Sequence, residues 1–322
     1  MVIGNNMNNL ITDIKILEIE TLKNLKNSKS LNTLRAYQAD YKDFSSFCVK
    51  NGLNSMPTDP KILSLYLTHL SNTSKFSTLK RRIASISVIH KIKGHYLDTK
   101  HPIIMENLQG IKRVKGTKQK SKKPILINNL REIIKVLDKY LINYELNESK
   151  KSKDIKKKIR DKALILIGFS GGFRRSELVN IDYEDIEFVS EGIKIFIKRS
   201  KTDQSGEGMI KAIPYFKNNN YCPVQAMRYW LNLSEIKSGK VFNISDKSVS
   251  LIIKKYALLA GLDPNKYGGH SLRSGFATSA AEAGAEERNI MAMTGHKTTQ
   301  MVRRYIQEAN LFKNNALNKI KF

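Results

Sequence analysis

Between Gly110 and Pro124 the chain carries seven basic residues, no acidic residue and no apolar periodicity. Such a stretch has nothing to bury and repels itself, so it reads as an extended basic linker. The 322-residue chain must then fold as separate bodies on either side of it. Its length agrees, being long for one average domain and sufficient for two cores. The expected division is an extension over residues 1–28, a first domain over 29–110, the linker over 111–124 and a second domain over 125–322.

Before the linker the apolar spacing is helical throughout. Leu34, Tyr37, Tyr41, Phe44 and Cys48 share one face, with Asn32 or Ser30 as cap. Asp59-Pro60, a cap followed by proline at the first helical position, opens a second helix carrying Leu63, Tyr66, Leu67 and Leu70. A third starts near Ser77 and buries Leu79, Ile83, Ile86 and Ile89, with Lys80, Arg81 and Arg82 in its first turns. A shorter one follows His101-Pro102. These four make a small bundle ending near Gly110.

After the linker, Leu130 to Leu141 reads as a helix, Lys150 to Lys158 as a lysine-rich interruption, and Asp161 to Gly168 as a buried helix. Alternation at Ile186–Val189, Ile193–Ile197 and Met209–Ile213 marks three short strands, the last two joined by the turn RSKTDQSGEG. Helical spacing returns over Val224–Leu233, Val249–Ala260, Leu272–Ala283, Arg288–Thr294 and Gln300–Ile306, with Trp230 in the core. The fold class is mainly α with a small antiparallel β-sheet.

A formal charge of +27 exceeds what solubility requires and attracts a polyanion at long range, making nucleic acid the leading partner class. Lys80, Arg81, Arg82, Lys112, Arg113, Lys118 and Lys120 are the candidate DNA contacts, with a solvated face or tether as the alternative. Cys48 and Cys222 are far apart and have no neighbours at metal-ligand spacing, which argues against a disulfide framework and a zinc site. The N-terminus lacks the layout of a secretory signal, and Ala163–Phe169, the longest apolar run, is too short to span a bilayer. A cytoplasmic protein is expected.

Four segments carry unusual clusters: GGFRRSELVNI, RSKTDQSG, GGHSLRSGFAT and TGHKTTQMVRRYI. In order, spacing and flanking residues they resemble the tyrosine recombinases of the phage-integrase class, strongly over Asp161–Ala316 and more loosely over the N-terminal half. The resemblance implies a helical core-binding domain followed by an α+β catalytic domain. It also implies a catalytic set of Arg174, Lys201, His270, Arg273, His296 and the nucleophile Tyr305, supported by Glu177. None of the six is substituted.

The residue types suit that chemistry. A phosphodiester attacked by a phenol accumulates charge on its non-bridging oxygens, where charge-assisted donors lower the barrier. Arg174 and Arg273 offer the planar, always charged fork for that position. His270 and Arg273, three residues apart at a helix start, lie on one side of it. His270 can take the phenolic proton, His296 can donate to a phosphoryl oxygen, and Lys201 on its turn can protonate the departing 5′ oxygen. Tyrosine titrates near 10 unperturbed and needs cationic neighbours, which this set provides. No metal or other cofactor is implied, and phosphate-loop, HExxH and Cys/His motifs are missing from the sequence.

The implied partner is double-stranded DNA with an inverted-repeat core site, bound by a homotetramer or heterotetramer. The apolar stripe of Leu311, Phe312, Ala316 and Leu317 is then an exchange segment docking on a neighbouring copy, or else packs on its own domain. Two other readings stay open: type IB topoisomerase-like relaxation and a catalytically silent DNA-binding regulator. With only residues 1–28 before the first domain, a simple Xer or plasmid-type recombinase, bacterial or mobile-element encoded, is expected over an integrase that reads distant arm sites.

Overall fold

The computed structural model describes residues 14–21, 23–24, 28–116, 121–145, 153–198, 207–309 and 316–320. The chain divides into two compact units, Met1–Lys120 and Ser121–Phe322.

In the first unit α1 covers residues 14–21, inside the stretch expected to be only an extension. Four helices follow: α2 Leu31–Lys50, α3 Pro60–Ser71, α4 Phe76–Ile92 and α5 Pro102–Lys115. Their starts are chemically marked. The Ser30 hydroxyl accepts from the Thr33 amide at 3.3 Å, and Asp59 accepts from the Lys61 amide at 2.6 Å with Pro60 next to it. Phe44, Cys48, Leu63, Tyr66, Leu67, Leu79, Ile86 and Ile104 form the core.

Asp40 is also buried, on the apolar face of α2. It pairs with Arg81, lies 3.2 Å from Arg82 Nε and accepts from the Ser85 hydroxyl at 2.6 Å. Arg82 Nη1 further donates to Asp43 at 2.8 Å, and Tyr66 Oη donates to the same carboxylate at 2.5 Å. A polar network therefore locks α2, α3 and α4 in register alongside their apolar contacts.

The first helical bundle does not stop near Gly110, as expected; α5 runs on to Lys115. Gly110 has open space around it, Ile111 packs against the core, and the Lys115 ammonium bonds the carbonyl of Ser71, the last residue of α3. These contacts outweigh the weak helix preference of the glycine.

The second unit contains α6 Ile127–Glu145, α7 Lys153–Ser170, α8 Arg175–Leu178, β1 Ile186–Val189, β2 Gly192–Ile197 and β3 Met209–Pro214. After these come α9 Pro223–Ser234, α10 Asp246–Leu259, α11 Ser271–Glu282, α12 Glu287–Thr294 and α13 Thr299–Ala309. The sheet is antiparallel in the order β1-β2-β3, with Ile195 opposite Lys211 and Ile193 opposite Ile213. A mostly helical fold with one small sheet is what the sequence pattern called for.

Helix α7 is the centre of this unit, buried continuously from Ala163 to Ser170. It begins at Lys153, so residues 153–158 are helical where an interruption was expected. Lysine is a good helix former, Asp154 favours the first turn, and Ile155 and Ile159 join the core. Trp230 is buried and donates from Nε1 to the Val241 carbonyl at 3.0 Å.

Residues 121–124, expected to belong to the linker, are docked together with Ile125. The amides of Lys123 and Ile125 donate to the carbonyls of Lys266 and Ser271 at 2.7 and 2.9 Å. This segment crosses α11 so closely that a Cβ on Gly275 would meet the Ile125 carbonyl oxygen at 1.9 Å. No helix among the described residues is long and apolar enough to cross a membrane.

The Asp40 network yields a stability prediction. Asp40→Ala takes one of two carboxylates from Arg82, leaving Asp43, and leaves Ser85 with the Arg81 carbonyl as its acceptor. Removing one partner of a buried ion pair is strongly destabilising, and about 3 kcal/mol is expected here, the low end because Arg81 reaches water. Urea denaturation of the full chain measures this; a loss below about 1 kcal/mol would make the network incidental.

Candidate active site

Five of the six candidate catalytic residues lie among the described residues, and all five gather in the second unit. Arg174 caps α8 in extended conformation after the Gly171-Gly172 turn. Its amide and its Nη1 both donate to the Glu177 carboxylate, at 2.9 and 2.5 Å, and Glu177 is itself buried. The acid thus fixes both the backbone and the guanidinium of Arg174. A further donor, Nη2, reaches the Gly295 carbonyl at 3.4 Å.

Arg273, in the first turn of α11, is 1% exposed. Its Nη1 donates to the Gly172 carbonyl at 3.0 Å, while Nε and Nη2 are buried with no hydrogen-bond partner among the described residues. Burial, with Arg174 close by, pushes its pKa down to about 10, so it stays charged at neutral pH. Two buried guanidinium donors left unanswered are a large desolvation cost unless an anion completes them.

His270 caps the start of α11, and its Nε2 lies 3.3 Å from Tyr305 Oη on α13. Burial, then Arg273 and Arg174, hold its pKa below the ordinary histidine value. A neutral ring can offer Nε2 to the phenolic proton in the tautomer that carries its hydrogen on Nδ1. The turn before it is pinned: the Gly269 amide donates to Ser250 Oγ at 2.8 Å, and the Gly268 amide to Ser271 Oγ at 3.0 Å. A Cβ on Gly269 would come within 2.9 Å of the Arg175 side chain.

His296 follows Gly295, whose left-handed φ of 63° ends α12 and turns the chain. Thr294 Oγ1 donates to the Ile290 carbonyl at 2.6 Å and lies 2.7 Å from His296 Nδ1. The hydroxyl has one proton, so Nδ1 carries the hydrogen of this second bond and Nε2 is left as acceptor. Burial, reinforced by Arg273, Arg174, His270 and Lys211, pushes the His296 pKa down to about 4. Its ring lies 6.1 Å from that of Tyr305.

Lys201 lies outside the described residues, as do Lys118, Lys120, Leu311 and Phe312. The two nearest described lysines have other occupations. Lys198 pairs with Asp182 and Asp185 at 3.0 and 2.9 Å. Lys211 is fully buried and bonds main-chain carbonyls. Among the candidate DNA contacts, Lys112 and Arg113 are exposed at the end of α5, Lys80 lies over the Phe76 ring, and Arg81 and Arg82 are engaged by Asp40 and Asp43. In the tail, Leu317 is exposed.

Sequence reasoning missed the structural weight of Lys211. The signal was available, since Met209, Lys211 and Ile213 alternate on one strand and a lysine at the middle position must face the core.

The phage integrase family profile matches residues 135–311. The chain is 40% identical over 289 residues to an integrase/recombinase XerD homologue of Selenomonas ruminantium, covering 85% of this chain and 81% of that protein. It is 26% identical over 252 residues to a tyrosine recombinase of Agathobacter rectalis, covering 77% of each. Its fold is similar to that of the XerH site-specific recombinase bound to a palindromic difH substrate, with TM-score 0.58 and 18% identity over 81% of this chain and 74% of that one. It is also similar in fold to lambda integrase in a tetramer bound to a Holliday junction, with TM-score 0.55 and 16% identity over 91% and 75%. Topoisomerase-like relaxation and a silent regulator are not favoured by these likenesses.

The state of His296 is testable. Its native pKa lies below the unfolded value near 6.5, so between pH 6.5 and about 4 the unfolded chain binds a proton that the native one does not. Stability therefore falls as pH drops through that window, by roughly 3 kcal/mol at about 1.4 kcal/mol per unit. Urea denaturation across this range should show a shallower decline for His296→Gln than for the wild type. Equal slopes would mean that the native imidazole is protonated in the ordinary range.

Proposed function

The chain belongs to the phage integrase family, and on that premise we propose that it is a tyrosine-type site-specific recombinase in which Arg174, Lys201, His270, Arg273, His296 and Tyr305 carry the reaction. The observation that supports this assignment best is the pair of buried Arg273 donors without a partner among the described residues, together with a tyrosine hydroxyl 3.3 Å from a histidine nitrogen. An oxyanion is the ligand such donors select, and a phenol with a proton acceptor is the nucleophile such a pocket can use.

In the proposed reaction Tyr305 Oη attacks a backbone phosphorus, the bond to the 5′ oxygen breaks, and a 3′-phosphotyrosine forms. The phenolic proton passes to His270 Nε2, while the departing 5′ oxygen takes a proton from the Lys201 ammonium. Arg174 and Arg273 hold the non-bridging oxygens, and Glu177 holds Arg174. Rejoining is the same sequence in reverse. The new ester replaces the one broken, so no ATP is consumed.

The partner is double-stranded DNA with an inverted-repeat core site, bound by four copies of the chain or by a mixed tetramer. A formal charge of +27 and the likeness to a tetrameric integrase support this reading. The setting is the cytoplasm of a bacterium or of a mobile element's host, and Lys112 and Arg113 are the exposed contacts to DNA backbone.

The test begins with selection of bound duplexes from a random library, followed by incubation and a denaturing gel. The wild type should form a covalent protein-DNA adduct, and Tyr305→Phe should bind equally well and form none. An adduct with Tyr305→Phe would move the nucleophile elsewhere.

Lys201 has its own test on the selected site. Lys201→Ala should slow cleavage by roughly 100- to 10,000-fold, the range for loss of a general acid. Sulfur at the 5′ bridging position leaves without a proton, so that substrate should restore the mutant to near the wild-type rate. Arg174→Ala should show no such rescue, since its charge is directed at oxygens that remain. Rescue of both, or of neither, would remove Lys201 from the role of proton donor.

A further inference from the structure

Lys211 lies on the inward face of β3 and has no exposed surface. Its ammonium donates to the Gly171 carbonyl at 2.7 Å and to the Met293 carbonyl, and lies 4.8 Å over the Phe173 ring. Gly171 begins the turn that delivers Arg174; Met293 lies in the last turn of α12, the helix that delivers His296. One side chain thus ties three segments together: the strand leaving the β2–β3 connection, the arginine turn and the histidine turn.

Both hydrogen bonds are to neutral carbonyls, so the charge of Lys211 is unpaired by direct contact. The groups that act on it are Glu177 of α8, Arg174 before that helix, Arg273 of α11 and His296 after α12. His296 is neutral at pH 7, so three cations share this pocket with one carboxylate. Such an excess is expensive in a desolvated site. The arginines cannot shed a proton at accessible pH, whereas a lysine can. Burial, with Arg273 and Arg174 adding to it against Glu177, pushes the Lys211 pKa down to about 7.

We propose that Lys211 is a positioning residue of the oxyanion site whose protonation is coupled to occupation of that site. An oxyanion held by Arg174 and Arg273 offsets the excess positive charge and favours the ammonium form. The ammonium in turn grips the Gly171 and Met293 carbonyls harder and sets the two turns that carry Arg174 and His296. Above pH 7 the empty site relaxes its clamp, and anion binding takes up one proton. This rests on the proposed reading of Arg174 and Arg273 as the phosphate site.

Inorganic sulfate is the probe for the full-length protein without DNA, because it keeps its charge across the range used. Binding is followed through the Arg273 side-chain resonances, and the lysine ammonium resonances are followed in parallel. In the wild type, sulfate affinity should fall about two- to eightfold between pH 7.5 and 8.5, the range for one linked proton whose pKa rises by one unit or more from near 7. His270 and His296 titrate below that window without the anion, and a slope contributed by either on binding would persist in Lys211→Arg. Lys211→Arg, charged throughout, should bind sulfate without this slope; Lys211→Met should bind it weakly at both pH values.

A wild-type affinity equal at both pH values, or a slope retained in Lys211→Arg, overturns the coupling while leaving the oxyanion site in place. Sulfate that leaves the Arg273 resonances unmoved overturns the site itself and the coupling with it. Where neither variant folds, the wild-type lysine signals decide. One lysine should titrate near 7 without sulfate and about one unit or more higher with it, and a set of lysines all titrating near 10 overturns the proposal.

Discussion

A guanidinium buried to 1% exposure, with two of its donors unanswered, is the constraint around which the catalytic unit is arranged. Nothing in an apolar core tolerates that arrangement without support. The support is backbone: Arg273 Nη1 on the Gly172 carbonyl, Arg174 Nη2 on the Gly295 carbonyl, and Lys211 on the carbonyls of Gly171 and Met293. Carbonyl dipoles partly stabilise the cations without neutralising them. A second carboxylate in the place of those carbonyls would satisfy the arginines and abolish the attraction for an anion. Among the described residues Glu177 is the carboxylate whose charge bears on Arg273 and Lys211, and it is fully engaged by Arg174.

That reliance on carbonyls explains why the site residues stand beside glycines. A carbonyl can point into a pocket only where the chain turns sharply. Gly172 and Gly295, at φ 56° and 63°, supply those turns at little conformational cost. Gly275 has a different role: without a side chain it lets residues 121–126 lie against α11, which holds the base of the helix bearing Arg273. Any side chain there would displace the helix and, with it, the guanidinium.

Much of this was legible in the sequence, for reasons that can be stated residue by residue. The three strands show period-2 alternation bounded by turn residues, and each was located to within a residue. The caps Ser30 and Asp59-Pro60 announce α2 and α3 through local hydrogen bonding alone. The helical extents of α5 and α7 were hidden, because lysines carry helix propensity without leaving an apolar pattern. Asp40 shares a helix face with Phe44, so its burial follows from spacing, but its partners Arg81, Arg82 and Ser85 are more than forty residues away. No local pattern joins them, and the arginines therefore looked like a surface cluster. Lys211 was readable from its parity on β3. What it grips was not, since carbonyls have no signature in a sequence.

His296 carries the same logic one step further. Its Nδ1–H is committed to Thr294 and its Nε2 is then the acceptor, so the neutral ring has no donor left for an oxyanion. Under the proposed function the ring must gain a proton at Nε2 as the phosphate arrives. The cations that hold its pKa down, Arg273 and Arg174, are the ones whose charge the phosphate offsets. The same event that fills the Arg273 donors therefore removes the obstacle to a charged imidazole. A site built this way keeps its donors weak until the correct ligand is present. Its electrostatic power is then assembled by the negative charge it exists to stabilise, which grows further as the pentacoordinate state forms.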